Sequence, residues 1–296
     1  MLFGMEARAV TEQSSRNLSP FSAVDISDSF EVRLVRGTEY RALISAEKAF
    51  TDYIICEVRD GVLYIGLDER SVPGEVKRQF RGKGTPDPVF SAVVYAPELL
   101  KSVRLSEKAL LYDTEDLFDK AEASFELFDN ACVKSLSLST LTFRVSMRGK
   151  SSADFKVGCR EFFAETSAAS SLKVEEKSEV SNYSLAGSSK VTSKSETGVL
   201  NVRTKANCTM TVSGSGDSAD FNMNGTAEVD AFGFEVPDAT ISMTSVCKLG
   251  VSAYRSLKVN LSGGAALYFS NEPSVSIESV KSSSIVRASG VRGVTK

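Results

Sequence analysis

Residues 205–231 read KANCTMTVSGSGDSADFNMNGTAEVDA, and two features of this stretch decide the fold. Within it Cys208, Met210 and Val212 alternate with polar residues, as do Ala219, Phe221 and Met223, and then Ala227, Val229 and Ala231. Alternation at period two is the pattern of a strand with one buried face. The second feature is recurrence. Val133, Ala153, Leu172, Val191, Met210, Val229, Leu249 and Leu267 are separated by 20, 19, 19, 19, 19, 20 and 18 residues. A second column, Phe143, Phe163, Tyr183, Val202, Phe221, Ile241 and Val259, advances by 20, 20, 19, 19, 20 and 18. Two positions keeping one period over many turns are the signature of a solenoid.

Each unit of 19 to 20 residues closes one turn but cannot bury its own apolar face, so stability comes from stacking on its neighbours. The alternation around each column member gives two short strands per turn. Polar corners lie between them: Gly149–Ser152, Gly187–Ser189, Lys205–Asn207 and Gly225–Thr226. Strands that pair with their equivalents one turn later are parallel, rise by roughly 4.8 Å per turn and follow the right-handed rule for parallel crossovers. The Leu and Asn positions of a leucine-rich repeat are missing, no six-residue subperiod marks a left-handed hexapeptide coil, and no 3.6-residue period marks helices. The sequence therefore predicts an all-β chain: a single-stranded right-handed parallel β-helix with an N-terminal β cap.

Composition bounds the function. The chain has 296 residues, 42% of them apolar and 25% charged, which is enough to build a core and too apolar for bulk disorder. A net charge of −3 removes the main electrostatic reason to expect nucleic acid or an anionic membrane as a partner. The one basic run, Lys77, Arg78, Arg81 and Lys83, lies among Gly and Pro and reads as a solvated loop. There is no histidine, which removes the usual general base, the usual zinc ligand and the Ser-His-Asp triad together. The five cysteines, Cys56, Cys132, Cys159, Cys208 and Cys247, have no CxxC spacing and do not form a disulfide framework. Cys208 and Cys247 stand two turns apart, roughly 9–10 Å, and read as small buried hydrophobes. Nothing in the pattern calls for a metal or a cofactor. No stretch is apolar enough to span a membrane. Glu6 and Arg8 interrupt the apolar start before a signal core is complete, so the chain is either cytosolic or exported by a signal outside this sequence.

In chain order, residues 1–17 form a polar leader and 18–70 a β cap or lead-in. That block holds strands at Phe21–Ile26, Phe30–Val35 and Tyr40–Ser45, a short helix or turn over Ala46–Asp52, and a hairpin joined by Arg59-Asp60-Gly61. Residues 71–89 are a loop rich in Gly, Pro and charge. Residues 90–290 hold the coils, with an acidic, helical excursion at Asp113–Glu122, and 18–290 form one continuous domain.

The stretch from Pro20 to Glu69, PFSAVDISDSFEVRLVRGTEYRALISAEKAFTDYIICEVRDGVLYIGLDE, resembles the opening of the GIN domain family, autotransporter-adhesin head domains common in Bacteroidetes. The resemblance rests on Phe21 leading into Val24-Asp25-Ile26-Ser27, on Phe30–Leu34, on the Gly37-Thr38-Glu39 turn and on Gly61-Val62-Leu63-Tyr64-Ile65. The family's Ser-Gly-Ser-Gly-Asp corner stands once, at Ser213–Asp217, and degenerately at Ser262-Gly263-Gly264-Ala265. The resemblance extends from Pro20 to about Ser289. It implies a right-handed parallel β-helix exported to the periplasm, outer membrane or cell surface of a Bacteroides-like bacterium. It carries over no catalytic residue. Most of the family's corners are replaced here by Ser-rich or Lys-containing ones, which detaches this chain from any ligand tied to them.

Right-handed β-helices also include pectin lyases and polygalacturonases, which need clustered carboxylates, or acid-held calcium with an Arg or Lys base. Asp217, Asp220, Asp230 and Asp238 lie within two turns, with Arg203 and Lys205 on the coil before, so Asp217, Asp220, Asp230 and Arg203 are the candidate catalytic set under that reading. Asp220 falls between inward Ala219 and Phe221 and points to solvent, and the histidine of the polygalacturonase pattern is missing. Ser213–Asp217 has the wrong spacing for a calcium repeat and reads as a corner needing positive φ at glycine. Ser and Thr dominate the outward positions, a neutral surface suited to glycans or cell-surface components. Three functions fit: a noncatalytic exported adhesin or binding module, a pectin-lyase-like enzyme, and a structural envelope protein. The oligomeric state is open.

Overall fold

The computed structural model describes residues 11–80 and 88–288. Met1–Val10 of the leader, and Arg81 and Lys83 of the basic run, lie outside the described residues. Twelve strands carry the chain through its first turns: β1 (Thr11–Asn17), β2 (Ala23–Ile26), β3 (Phe30–Arg36), β4 (Arg41–Glu47), β5 (Ile54–Arg59), β6 (Val62–Leu67), β7 (Phe90–Ala96), β8 (Ser102–Leu105), β9 (Leu110–Leu111), β10 (Glu122–Leu127), β11 (Cys132–Ser139) and β12 (Thr142–Met147). Ten more follow: β13 (Ser152–Gly158), β14 (Glu161–Thr166), β15 (Ser171–Gly187), β16 (Lys190–Ala206), β17 (Thr209–Gly225), β18 (Glu228–Ser245), β19 (Lys248–Ser262), β20 (Ala266–Ser270), β21 (Ser274–Lys281) and β22 (Ser284–Arg287). The two strands of a turn are separate in the early coils. From β15 to β19 they merge into bent strands of 15 to 18 residues that run nearly a full turn.

Pairing is parallel from coil to coil and builds a β-solenoid of about ten turns. The column read from Val133 to Leu267 is one unbroken register line, and it extends at both ends as Val32, Leu111, Val133, Ala153, Leu172, Val191, Met210, Val229, Leu249, Leu267 and Ile285. The opposite sheet carries Val24, Val103, Phe125, Val145, Ala164, Tyr183, Val202, Phe221, Ile241, Val259 and Ile277. Inward residues of the two sheets meet in the core, where Phe125 packs against Phe155 of the other sheet at 5.1 Å between ring centroids. Cys208 and Cys247 are buried, and all five cysteines are free thiols.

Two sequence expectations need correction. The second column is right from Tyr183 to Val259, but Phe143 and Phe163 do not belong to it. Phe143 pairs with Phe162 in the neighbouring inward line, while Phe163 pairs with Arg144 and faces out. The true members at these turns are the small residues Val145 and Ala164. Their size is compensated by the adjacent rings of Phe143 and Phe162, stacked 5.7 Å apart, so following the aromatic side chains jumped one line sideways. Asp113–Glu122 is not a helix either. It is an irregular excursion that returns Leu117 and Phe118 to the core, with Phe118 fully buried 5.0 Å from Phe125.

Residues 18–70 are largely strands, with a 3-10 turn at Lys48–Tyr53; β2 and β3 stack directly under the coils through β8 and β9, while β7 pairs with the far edge of β3. Around them, β5 and β6 form an antiparallel hairpin turned by Asp60 and Gly61, both at positive φ. β4 runs antiparallel to β7, and β1, from the polar leader, adds antiparallel to β4. The 71–89 segment holds a short helix, Gly74–Gln79. Together these elements close the first end of the stack.

One corner of every turn is a left-handed residue: Asp28, Glu107, Asp129, Gly149, Ala168, Gly187, Ala206, Gly225, Ser245, Gly263 and Ser282 all have positive φ. From Glu107 to Ser245, the amide following each of these residues donates to the left-handed carbonyl one coil earlier, as Asn207 does to Gly187 and Thr226 to Ala206, both at 2.9 Å. From Asp129 onward glycine takes every second step. A Cβ on Gly149, Gly187, Gly225 or Gly263 would fall 2.7 to 2.8 Å from backbone atoms of the corner below. Ala168 and Ala206 adopt the same φ, so what selects glycine at alternate steps is close approach.

Candidate functional site

On the outer face of the sheet that buries Phe221, two lines of side chains run along the stack, spaced roughly 4.8 Å apart. One line reads Ser124, Arg144, Phe163, Asn182, Asn201, Asp220 and Thr240, and the other Glu126, Ser146, Glu165, Ser184, Arg203, Asn222 and Ser242. Between them lies a groove of about 410 Å³ lined by Arg144, Phe163, Glu165, Asn182, Asn201 and Arg203. The Arg144 guanidinium lies 4.2 Å over the Phe163 ring, and its Nε donates to Glu122 at 3.0 Å. An exposed cation–π contact is worth about 0.5–1 kcal/mol. Asn201 Nδ2 donates to Asn182 Oδ1 at 3.0 Å, and each amide keeps further donors and acceptors for a ligand. The groove thus offers one half-buried ring, amides, a carboxylate and guanidinium groups on a rigid frame.

Arg203 lines this groove, and Asp220 lies one coil beyond Asn201 on the same face. Asp217 is exposed at the corner before that face begins. Asp230 is on the other sheet, between Thr211 and Gly250, with its Oδ1 accepting the Phe232 amide at 3.2 Å. The structure does not bring these four residues together. Asp238 is held by Arg255 and by Ser256 at 2.6 Å, and these partners pull its carboxyl down to about 2. Among the described residues no group of three or more Cys, Asp or Glu side chains is placed to hold a metal ion. The Ser213–Asp217 corner has a packing role. Gly214 sits at φ +120°, where a Cβ would lie 1.9 Å from the Ser195 carbonyl, and Gly216 lies under the buried Phe234 ring, 2.9 Å from Cζ at the Cβ position. Positive φ explains the first glycine and seating Phe234 explains the second.

The sequence reading missed a buried polar cluster on the other side. In β15, Leu172 and Val174 point inward and Glu176 keeps their parity, so the inward line Leu138, Val157, Glu176, Ser195 carries a carboxylate into the core. Glu176 is 3% exposed. It accepts hydrogen bonds from Ser181 at 2.7 Å, Ser195 at 2.8 Å and Tyr183 at 2.9 Å, with Ser178 at 3.2 Å, while Tyr183 also shares a 2.8 Å bond with Ser193. Burial pushes the Glu176 carboxyl above its ordinary range despite these donors, and it pushes the Tyr183 phenol well up, with the Glu176 charge adding to it. Burial, then Glu176, raises the Cys159 thiol to about 12. A cleft of about 630 Å³ opens above, lined by Lys156, Lys177, Lys194, Glu175 and Glu196, which pair among themselves at 3.3 to 3.9 Å. Here the hydroxyls are turned onto Glu176 and the lysines onto carboxylates, so the polar groups already satisfy one another. Parity within β15 was the signal that could have found the cluster.

A family model described as "Putative auto-transporter adhesin, head GIN domain" matches residues 20–273. No curated protein sequence matches the chain. Solved structures share its fold along nearly the whole length. A putative lipid binding protein from Parabacteroides distasonis is 17% identical, with a TM-score of 0.52, over 94% of this chain and 97% of that one. A putative adhesin from Parabacteroides merdae is 13% identical, TM-score 0.50, over 94% and 96%. A putative adhesin from Parabacteroides distasonis is 11% identical, TM-score 0.51, over 95% and 98%.

Proposed function

The chain belongs to the GIN-domain family of auto-transporter adhesin heads, and from that premise we propose that it is a noncatalytic binding module, exported to the periplasm or cell surface, that adheres to glycans along the groove beside Phe163. The observation that carries this reading is the groove itself. Phe163, Asn182, Asn201, Glu165 and Arg203 project outward at strand spacing from a sheet whose other face is packed core, so they are preorganised at no cost of loop ordering. Planar amides, a carboxylate and a guanidinium match the paired hydroxyls of a sugar, and the ring edge supplies an apolar contact for its C–H face. The two outward lines continue, one through Asp220 and Thr240 and the other through Asn222 and Ser242, which lets successive sugars of an extended chain be read coil by coil. Asp217, Asp220, Asp230 and Arg203 are divided between a corner and two sheets, which favours binding over the polysaccharide-cleaving alternative. Among the described residues no helix is long and apolar enough to cross a membrane.

The test is a glycan array probed with the purified chain, the same wells being followed for release of reducing or unsaturated sugar ends. Binding without release, lost in Phe163→Ala and Asn182→Ala, supports the proposal. Release of sugar ends overturns it in favour of an enzyme, and no binding to any glycan overturns the ligand class.

A further inference from the structure

The two ends of the stack differ. The first is closed by β1, β4 and the β5–β6 hairpin, and by Phe50 packed 5.4 Å from Phe90. At the last end, β21 pairs with β19 and β22 with β20, and among the described residues nothing pairs with their other edges. The inward lines run on into this open coil. Leu257, Val259 and Leu261 are each 0% exposed, yet the residues that continue them, Val275, Ile277 and Val280, are 37%, 58% and 38% exposed. An unpaired strand edge beside an exposed apolar stripe is a template for another strand.

The strand's charge pattern indicates which strand fits. β21 carries one acid, Glu278, which Lys258 of the same chain holds at 2.7 Å, and one base, Lys281, so it has no net charge to repel a copy of itself. Set two β21 strands antiparallel with Ile277 of one copy opposite Val280 of the other. The inward lines then meet end to end, and each Lys281 lies diagonal to Glu278 of the other copy. Because the arrangement is two-fold, each of these contacts occurs twice. We propose that the open end is an isologous interface, and that two copies join end to end through β21. The dimer extends both inward cores into one and leaves the two outer grooves free, so it is bivalent toward a repetitive ligand.

The experiment is sedimentation velocity of the full chain over roughly 1 to 100 μM. The expected result is a monomer–dimer equilibrium whose dissociation constant rises at least about tenfold in Ile277→Lys and in Val280→Lys, with the denaturation midpoint unchanged when it is measured well below the dissociation constant, where both chains are monomers. A chain that stays monomeric across the range overturns the proposal, as does a dimer indifferent to both substitutions. A monomer that begins to associate when residues 289–296 are deleted also overturns it, by identifying the chain's own terminus as the occupant.

Discussion

Phe162 and Phe163 are adjacent in sequence and opposite in fate, and exchanging each for alanine tests the register of the whole stack. Phe162 is 0% exposed, with Phe143 at 5.7 Å on one side and Tyr183 at 5.3 Å on the other. Truncating a ring so enclosed removes its transfer free energy and leaves a cavity that stacked coils cannot collapse into, a cost of about 3–5 kcal/mol. Phe163 loses chiefly its contact with Arg144, about 0.5–1 kcal/mol. With a guanidinium slope of roughly 4–6 kcal/mol/M, Phe162→Ala lowers the denaturation midpoint by roughly 0.5–1.25 M, and Phe163→Ala by roughly 0.1–0.25 M. Far-UV circular dichroism reads the strands directly. Because a solenoid can unfold by segments, hydrogen exchange of the amides in β12, β14 and β15 should accompany it. Equal costs, or a larger cost at Phe163, would refute the register and with it the outward groove.

Phe221→Asp buries an unpaired charge in the same core and is expected to abolish folding or cost several kcal/mol, whereas Asp220→Ala beside it should be nearly silent; expression in soluble form and thermal melting distinguish the two. Glu176 gives a pH signature. Its folded-state carboxyl is raised by burial, so the stability it contributes is complete below the unfolded-state value of about 4.3 and is lost as pH rises through the higher folded-state value. Glu176→Gln should therefore melt close to the wild type near pH 4 and gain on it as pH rises, levelling off above the folded-state value, and a melting difference that stays constant between pH 4 and pH 8 would sink the account.

How far the sequence could be read depended on whether side-chain size and side-chain position agreed. From Val133 to Leu267 every member of the first column is apolar, and the column is correct to the residue. At Phe143 to Phe163 size and position parted: Val145 and Ala164 hold the column while rings beside them fill the volume, and period alone cannot tell two inward lines apart. The Asp113–Glu122 excursion misled because its acidic composition suits a helix, while Leu117 and Phe118 serve as a plug whose partner, Phe125, is known only from the fold. Of the candidate sites, Arg203 and Asp220 share the outer face, a fact parity foretold for Asp220. The groove needed more, since Arg144, Phe163, Asn182 and Asn201 lie 19 residues apart and converge only when the register is known. Glu176 went unseen because an acidic residue in an alternating strand is assigned outward by habit, although its parity with Val174 says otherwise.

The alternation of glycine with bulkier residues along the left-handed corner makes two coils, rather than one, the molecule's unit of length. Gly149, Gly187, Gly225 and Gly263 recur at 38 residues, twice the coil. Excising or duplicating a single coil would set two Cβ-bearing corners, or two glycines, on adjacent steps, whereas moving a pair of coils would leave the sequence of steps intact. Such a chain can therefore grow or shrink in genetic exchange by blocks of two turns, roughly 9–10 Å of reach at a time, and a designer wishing to lengthen its binding face would do best to insert the pair Ser189–Thr226 as one piece.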